Sequence, residues 1–320
     1  MPPDLKELEF PLLKYYVSPP FIKKIMDALR KYPSETHLQH MKQPDSDRRS
    51  HTEGMETILH ITIIYDRDKN FLMLSDYFNQ ESRMKSTFLN SVSCWDYFDT
   101  KKKKIISEVG PRPDHEKIYG HLWGNTRMCS SFPIIVAKAI IDFFKPGRVF
   151  DPCAGWGDRM LACIAAGIPY TGVDPNVDLQ KGYRHMIDFF DLDPGDYKVF
   201  PSPFEEIKGS ILEEIGKFPL IFTSPPFFNM EGYGSENTQS NIKFPTYDKW
   251  RRGFLFPLIR GCLKLLEDDG KLVIYVNNIK GYPILDDTRG YLSAMKVRFL
   301  GKVFWKNSKY PKCVLVYQKN

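Results

Sequence analysis

The stretch RVFDPCAGWGDRMLACIAAG, residues 148 to 167, decides how the whole chain is read. A short apolar strand signal ends in Asp151, a tight turn carries Gly155 and Gly157, and an apolar-periodic run of helix formers follows up to Gly167. Two glycines between a strand and a helix let a ligand approach backbone N–H groups at the helix N-terminus without interference from a Cβ. The turn lacks the third glycine of a GxGxxG fingerprint and no GK[ST] occurs, which argues against a dinucleotide or phosphate loop. Further on, the run YTGVD ends in Asp174, placed like the acid that holds a ribose diol in nucleotide-binding α/β folds. Turn and acid together point to a ribose-bearing cofactor.

Outward from this unit, FPIIVAKAIIDFF reads as a helix with Pro133 in its first turn, stopped by Lys145-Pro146-Gly147. Downstream, VDLQKGYRHMIDFF is a helix, YKVF a strand, 203 to 215 a short helix and LIFT a strand. A polar loop from about 229 to 247 follows, then WRRGFLFPLIRGCLKLL as helix and KLVIYV as strand. Strand-helix alternation predicts an α/β protein whose parallel sheet has helices on both faces. The last runs, RFLGKVFWK and KCVLVYQK, joined by NSKYP, predict an antiparallel hairpin at the sheet edge.

Residues 1 to 125 have a different texture and form an expected α+β N-terminal region, a candidate for substrate recognition; 126 to 320 form the cofactor domain. Phe21, Ile22, Ile25, Met26 and Leu29 share one face of an amphipathic helix. Residues 32 to 54 hold few apolar side chains and read as a loop. ETILHITIIY alternates with period two, DRDKN turns and FLML returns, which predicts a hairpin. The aromatic-rich segment 77 to 98 fits helix or irregular structure. The run Lys101 to Lys104 is either a solvated face or a phosphate contact.

The bulk composition narrows the function classes. The chain has 320 residues, 42% apolar, with 45 Lys+Arg against 39 Asp+Glu for a net charge of +6. That is enough chain for a sizeable core, and a balance too mild for a histone-like wrapper yet compatible with a polyanionic substrate. Six cysteines, none paired as CxxC, exclude a zinc ribbon and a dithiol redox motif, and no metal is implied. MPPDLKELEF is not a signal peptide and no apolar run approaches the roughly 20 residues of a membrane span, so a soluble intracellular protein is expected.

The chemistry sits in Phe222-Thr223-Ser224-Pro225-Pro226-Phe227-Phe228, after the fourth strand of the alternating part. Two consecutive prolines forbid helix, remove two donors and leave carbonyl oxygens free where open α/β sheets place their ligands. Ser224 Oγ and the Pro225 carbonyl are suited to accept hydrogen bonds from one exocyclic amino group, and Phe227 to stack on the ring that bears it.

These residues resemble a known family. Asp151 to Gly157 is similar to the cofactor loop, and Thr223 to Phe227 to the (S/D/N)-P-P-(Y/F) tetrad, of S-adenosylmethionine-dependent amino-methyltransferases acting on nucleic-acid bases. Serine in first place resembles the N4-cytosine branch, and Ser131-Phe132-Pro133 resembles the segment that precedes the cofactor loop. Trp156 stands where a small residue is common, and Phe227 replaces Tyr without its hydroxyl. The resemblance implies a Rossmann-like class I methyltransferase sheet ending in an antiparallel C-terminal β-hairpin. It implies S-adenosylmethionine held by Phe132, Asp151, Cys153, Ala154, Gly155, Gly157, Asp174, Ser202 and Phe204. It implies catalysis by Ser224, Pro225, Pro226 and Phe227, with Phe228 or Tyr233 as a second platform for a flipped or single-stranded base. The partner is nucleic acid, DNA before RNA, and the recognition elements are expected in 1 to 125, in the 229 to 247 loop or in a partner. Adenine N6, a protein amide, or an inert methyltransferase-derived subunit are the alternative readings. From Ser293 to Asn320 there are seven basic residues and no acidic one, either a phosphate contact or the guard of an edge strand. Trp123, Trp250 and Trp305 are expected in core or rim packing.

Overall fold

The computed structural model describes residues 9–33, 35–43, 56–64, 71–110, 114–207, 213–234, 237–305 and 312–320. The N-terminal part runs α1 (Pro19–Lys31), β1 (Glu35–Gln43), β2 (Glu56–Ile64), α2 (Leu72–Lys85), β3 (Thr87–Phe88), α3 (Cys94–Val109) and α4 (His115–Asn125). Then follow α5 (Ile134–Phe144), β4 (Val149–Asp151), α6 (Asp158–Ala166), β5 (Tyr170–Val173), α7 (Leu179–Phe189), β6 (Tyr197–Phe200) and β7 (Phe218–Thr223). The chain continues through β8 (Glu231–Gly232), α8 (Ser240–Lys243), α9 (Tyr247–Trp250), α10 (Phe256–Leu265), β9 (Leu266–Ile274), α11 (Ile284–Ala294), β10 (Arg298–Trp305) and β11 (Lys312–Gln318).

Nine strands form one sheet in the order β1-β2-β10-β11-β9-β7-β4-β5-β6. β4, β5, β6, β7 and β9 are parallel, and β11 runs against both β9 and β10. The seven strands from β6 to β10 therefore have the expected Rossmann-like class I methyltransferase arrangement, C-terminal antiparallel hairpin included. From β4 the chain proceeds to β5 and β6 on one side, then returns to β7 and β9 on the other. The crevice between β4 and β7 is the topological switch point at which such sheets bind ligands. Val149 pairs with Leu220 and Phe150 with Ile221, so the loops leaving these strands, at Pro152 and Ser224, emerge side by side.

The parallel part of the sheet is buried on both faces. One layer joins α1, α2, α5, α6 and α7 through residues such as Ile22, Met26, Leu74, Ile140, Leu161 and Met186. The other joins α10 and α11 to Phe150, Ile221, Leu272 and Leu315. A small cluster around Phe98, Ile105, Ile118 and Leu122 ties α3 to α4. α5 is apolar nearly all round because it lies in the first layer, and it ends at Lys145, which adopts the left-handed conformation (φ 46°) before Pro146.

Several expectations are corrected. β2 is a strand, but its partner is β1, within the segment read as a loop, with Glu35 opposite Ile64 and Gln43 opposite Glu56. FLML instead opens α2: four apolar residues fit the first turn of a buried helix as well as a strand, and only tertiary packing separates them. The C-terminal hairpin is not at the edge, because β10 pairs in parallel with β2 and the sheet continues to β1. Phe21 is 47% exposed while Ile22, Met26 and Leu29 are fully buried, so α1 turns a narrower face inward than the full set of five. Trp250 and Trp305 are core residues as expected; Trp123, on α4, is 57% exposed. The NSKYP turn lies outside the described residues. No helix among the described residues is long and apolar enough to cross a membrane.

Candidate active site

A cavity of about 150 Å³ opens at the carboxyl ends of β4, β5, β7 and β9. It brings together Phe132, Cys153, Ala154, Gly155 and Asp174 from the first half of the sheet with Phe204 after β6 and with Ser224, Pro225, Pro226 and Phe227 after β7. The glycine turn and the Ser-Pro-Pro-Phe segment, 67 residues apart if counted from Gly157 to Ser224, thus face one space.

The turn owes its shape to glycine. Gly155 (φ 57°) and Gly157 (φ 88°) are left-handed, and Gly157 is the N-cap of α6. A Cβ on Gly157 would stand 2.8 Å from Met186 Cε, whereas on Gly155 its nearest neighbour would be 3.9 Å away. Gly155 N donates to Asp174 Oδ2 at 2.8 Å and Asn176 N to Asp174 Oδ1 at 2.9 Å. Asp174 is 7% exposed, and burial pushes its carboxyl up to about 6 despite those two backbone donors.

Asp151, Gly157 and Ser202 do not line the cavity. Asp151 is fully buried beneath the turn, where it accepts from Arg159 Nε at 2.7 Å, from Tyr170 OH at 2.9 Å and from Cys153 N at 3.1 Å. Burial opposes the Arg159 charge, but the Asp151 carboxylate outweighs it and the guanidinium is held protonated. Arg159 also donates to the Cys153 carbonyl, so this ion pair braces the turn from below. Cys153 is no nucleophile: burial, then Asp151, pushes its thiol well above the ordinary range. Phe228 is likewise absent from the cavity wall; it packs edge-on to Tyr247 and Tyr282 in the second core layer.

Several lining residues carry no sequence signal of their own. Trp156 Nε1 donates to the Ser130 carbonyl at 3.3 Å, and its ring meets Tyr233 edge-on at 5.7 Å. Glu231, 4% exposed, accepts from Ser130 N, Ser130 Oγ and Tyr233 OH; burial raises its carboxyl. β8, which holds Glu231, pairs with β3, and Asn79 of α2 donates to the Trp156 carbonyl at 3.0 Å. The N-terminal region therefore braces two walls of the cavity. Asp158, in the first turn of α6, accepts from Phe132 N at 3.2 Å, and burial raises its carboxyl too.

At the β6 end of the cavity stand polar atoms that lack partners among the described residues: Glu205 Oε2, Thr238 Oγ1 and Gln239 Nε2 are buried without a hydrogen bond. Glu205 Oε1 is engaged by Lys243 at 3.1 Å, which leaves its second oxygen free. Buried orphans of this kind cost about 1–3 kcal/mol each unless something meets them, so they mark where a polar ligand edge fits.

No protein-family model matches the sequence, and no curated protein does. Among solved structures, the chain is similar to TrmN from Thermus thermophilus, at 16% identity and a TM-score of 0.42 over 60% of this chain. It spans 50% of the TrmN chain, half its length. It is also similar to magnesium protoporphyrin IX methyltransferase (ChlM) from Synechocystis PCC 6803 with bound SAM: 11% identity, TM-score 0.43, 70% of this chain and 94% of that one. A methyltransferase from Pyrococcus furiosus shares 14% identity over 69% of this chain and 99% of its own, with a TM-score of 0.41.

Proposed function

We propose that the protein transfers a methyl group from S-adenosylmethionine to an exocyclic amino group of a nucleic-acid base, cytosine N4 in DNA. The observation that carries this reading is the single cavity shared by the Gly155 turn, Asp174 and Ser224-Pro225-Pro226-Phe227. The residues present fit the methyl donor. Asp174 would accept its ribose hydroxyls, Gly155 and Phe132 border the space for its methionine end, and Phe204 with the orphaned Glu205 and Gln239 suits a ring with a polar edge. When bound, the donor supplies a methyl on a positively charged sulfur.

The chain's own part is to hold the acceptor amine. Its lone pair is delocalised into the ring, so it is a weak nucleophile. Ser224 Oγ and the Pro225 carbonyl accept hydrogen bonds from its two N–H groups, which favours a pyramidal nitrogen and aims its lone pair across the cavity; the methylated nitrogen would then release one of those protons to water. The contribution is positioning and electrostatics. Phe227, packed edge-on against Tyr275 at 5.7 Å, offers the stacking wall. The target base must leave a duplex, or come from a single strand, to enter.

The test is incubation with tritiated methyl donor and, separately, DNA, RNA and protein, followed by nucleoside digestion. Label in 4-methylcytosine from DNA is expected; label in protein alone refutes the base-methylation reading. Ser224→Ala should lose roughly 100-fold in turnover while keeping donor affinity in calorimetry. Unchanged turnover would remove Ser224 from the acceptor grip.

A further inference from the structure

Among the described residues, the middle of the sheet extension has one core face and one face that neither core layer covers. Toward the first core layer, Ile61, Ile63, Val303, Trp305, Val314 and Val316 are each at most 1% exposed. Toward the other side lie His60, Thr62, Lys302, Phe304 and Cys313, all only partly buried. The second core layer, built by α10 and α11, takes Leu315 and Tyr317 from β11 and Phe299 from β10, but no described residue of β2.

Register sets the composition of this face. Phe304 lies opposite Thr62 and Cys313; Lys302 lies opposite His60 and Leu315. The His60 and Phe304 rings stack with centroids 4.3 Å apart and planes 17° from parallel. Lys302 lies two residues from Phe304, which is opposite Cys313, so the alternation of the strand puts Lys302 and Cys313 on the same side. The basic C-terminal segment supplies no acidic residue to neutralise this surface. The ends of these strands reach the cavity: Trp305, next to Phe304, and Lys312, next to Cys313, line it beside Tyr275.

We propose that this face of β2, β10 and β11 is a platform for the single-stranded DNA flanking the target base, an inference that rests on the nucleic-acid reading above. A partly exposed, stacked aromatic pair on a sheet face with a lysine beside it suits unstacked bases and their phosphates. His60, Thr62, Lys302, Phe304 and Cys313 put a cation and no acidic side chain on this face, which matches a polyanion. A duplex hides its ring faces within its own stack and offers this platform none.

The experiment is an anisotropy titration of the full chain with a fluorescein-labelled mixed-sequence single-stranded DNA 12-mer, alongside the RNA 12-mer, the DNA duplex and an acidic peptide. The single strand of DNA should bind most tightly. Phe304→Ala and His60→Ala should each weaken it by about 5- to 100-fold, with Phe304→Tyr retaining affinity. Lys302→Glu should weaken it and lower the salt slope by about 0.7. Calorimetric donor binding shows whether each variant is folded, and Lys302→Glu, on the same face, covers the case in which Phe304→Ala is not. Unchanged affinity in both Phe304→Ala and Lys302→Glu overturns the proposal, as does preference for the duplex, the RNA or the peptide, or no DNA binding by the parent chain. The readout needs no methyl transfer. Absence of label in any nucleic acid therefore refutes the functional reading alone, and intact DNA binding by the platform variants refutes the platform alone.

Discussion

Lowering the pH should loosen the methyl donor through one carboxyl. Asp174 follows β5, accepts from Gly155 N and Asn176 N, and is raised by burial to about 6, with Asp151 adding to the rise and Arg159 opposing it. Only the ionised form offers both oxygens as acceptors to the ribose. With that value the ionised fraction falls from roughly 97% at pH 7.5 to roughly 9% at pH 5, and affinity should fall about tenfold. Calorimetry with S-adenosylmethionine at pH 5, 6 and 7.5 and constant ionic strength measures it. Asp158 and Glu231 border the same cavity and are raised as well, so Asp174→Asn is the necessary comparison. The variant should bind more weakly at pH 7.5 and lose the tenfold step; the ligand's own ionisation is common to both proteins. A flat profile in the parent chain, or the full step in Asp174→Asn, refutes the assignment. Linkage has the opposite sign for the unliganded protein. The folded carboxyl lies above its ordinary 3.8, so its contribution to stability is complete below that value and is lost as pH rises through about 6. Asp174→Asn should flatten this fall in a thermal melt between pH 5 and 7.5.

Removing the brace under the turn should cost far more than a surface pair: Arg159→Met leaves Asp151 buried and unpaired, an expected loss of about 3–5 kcal/mol in chemical denaturation. Adding Asp151→Asn should recover part of it, and no recovery would mean that the charge is not the cause. Gly157→Ala should destabilise by roughly 1–3 kcal/mol, because it combines a left-handed φ with the Met186 contact. Gly155→Ala, with open space at its Cβ, should cost less stability and instead weaken donor binding. Equal melts for the two variants would count against this difference.

The parallel half of the sheet was legible because its signals are local. Apolar strands, Gly155, Gly157, Gly167 and Pro146 punctuate β4, α5 and α6 within a few residues, and both helices are apolar enough to be buried nearly all round. β1 was not legible: THLQHMK carries too little apolar alternation, and its strand character comes from pairing with β2. Within the site, Ser224, Phe227 and Asp174 stood out by motif and position. Glu231, Asn79 and the Asp151–Arg159 pair did not, since their roles depend on partners met only after folding.

By itself the sequence determined the order of strands and helices in the parallel half, the two chemical turns and the residue types they carry, all consequences of short-range backbone preference and hydrophobic period. The tertiary structure alone decided that Asp151 is a brace and not a wall, and that Phe228 belongs to the core. It alone placed β1 and β2 on the sheet beyond β10, where the second core layer takes no described residue of β2. These outcomes turn on which surfaces meet once the chain is folded, and that packing is written in no local pattern.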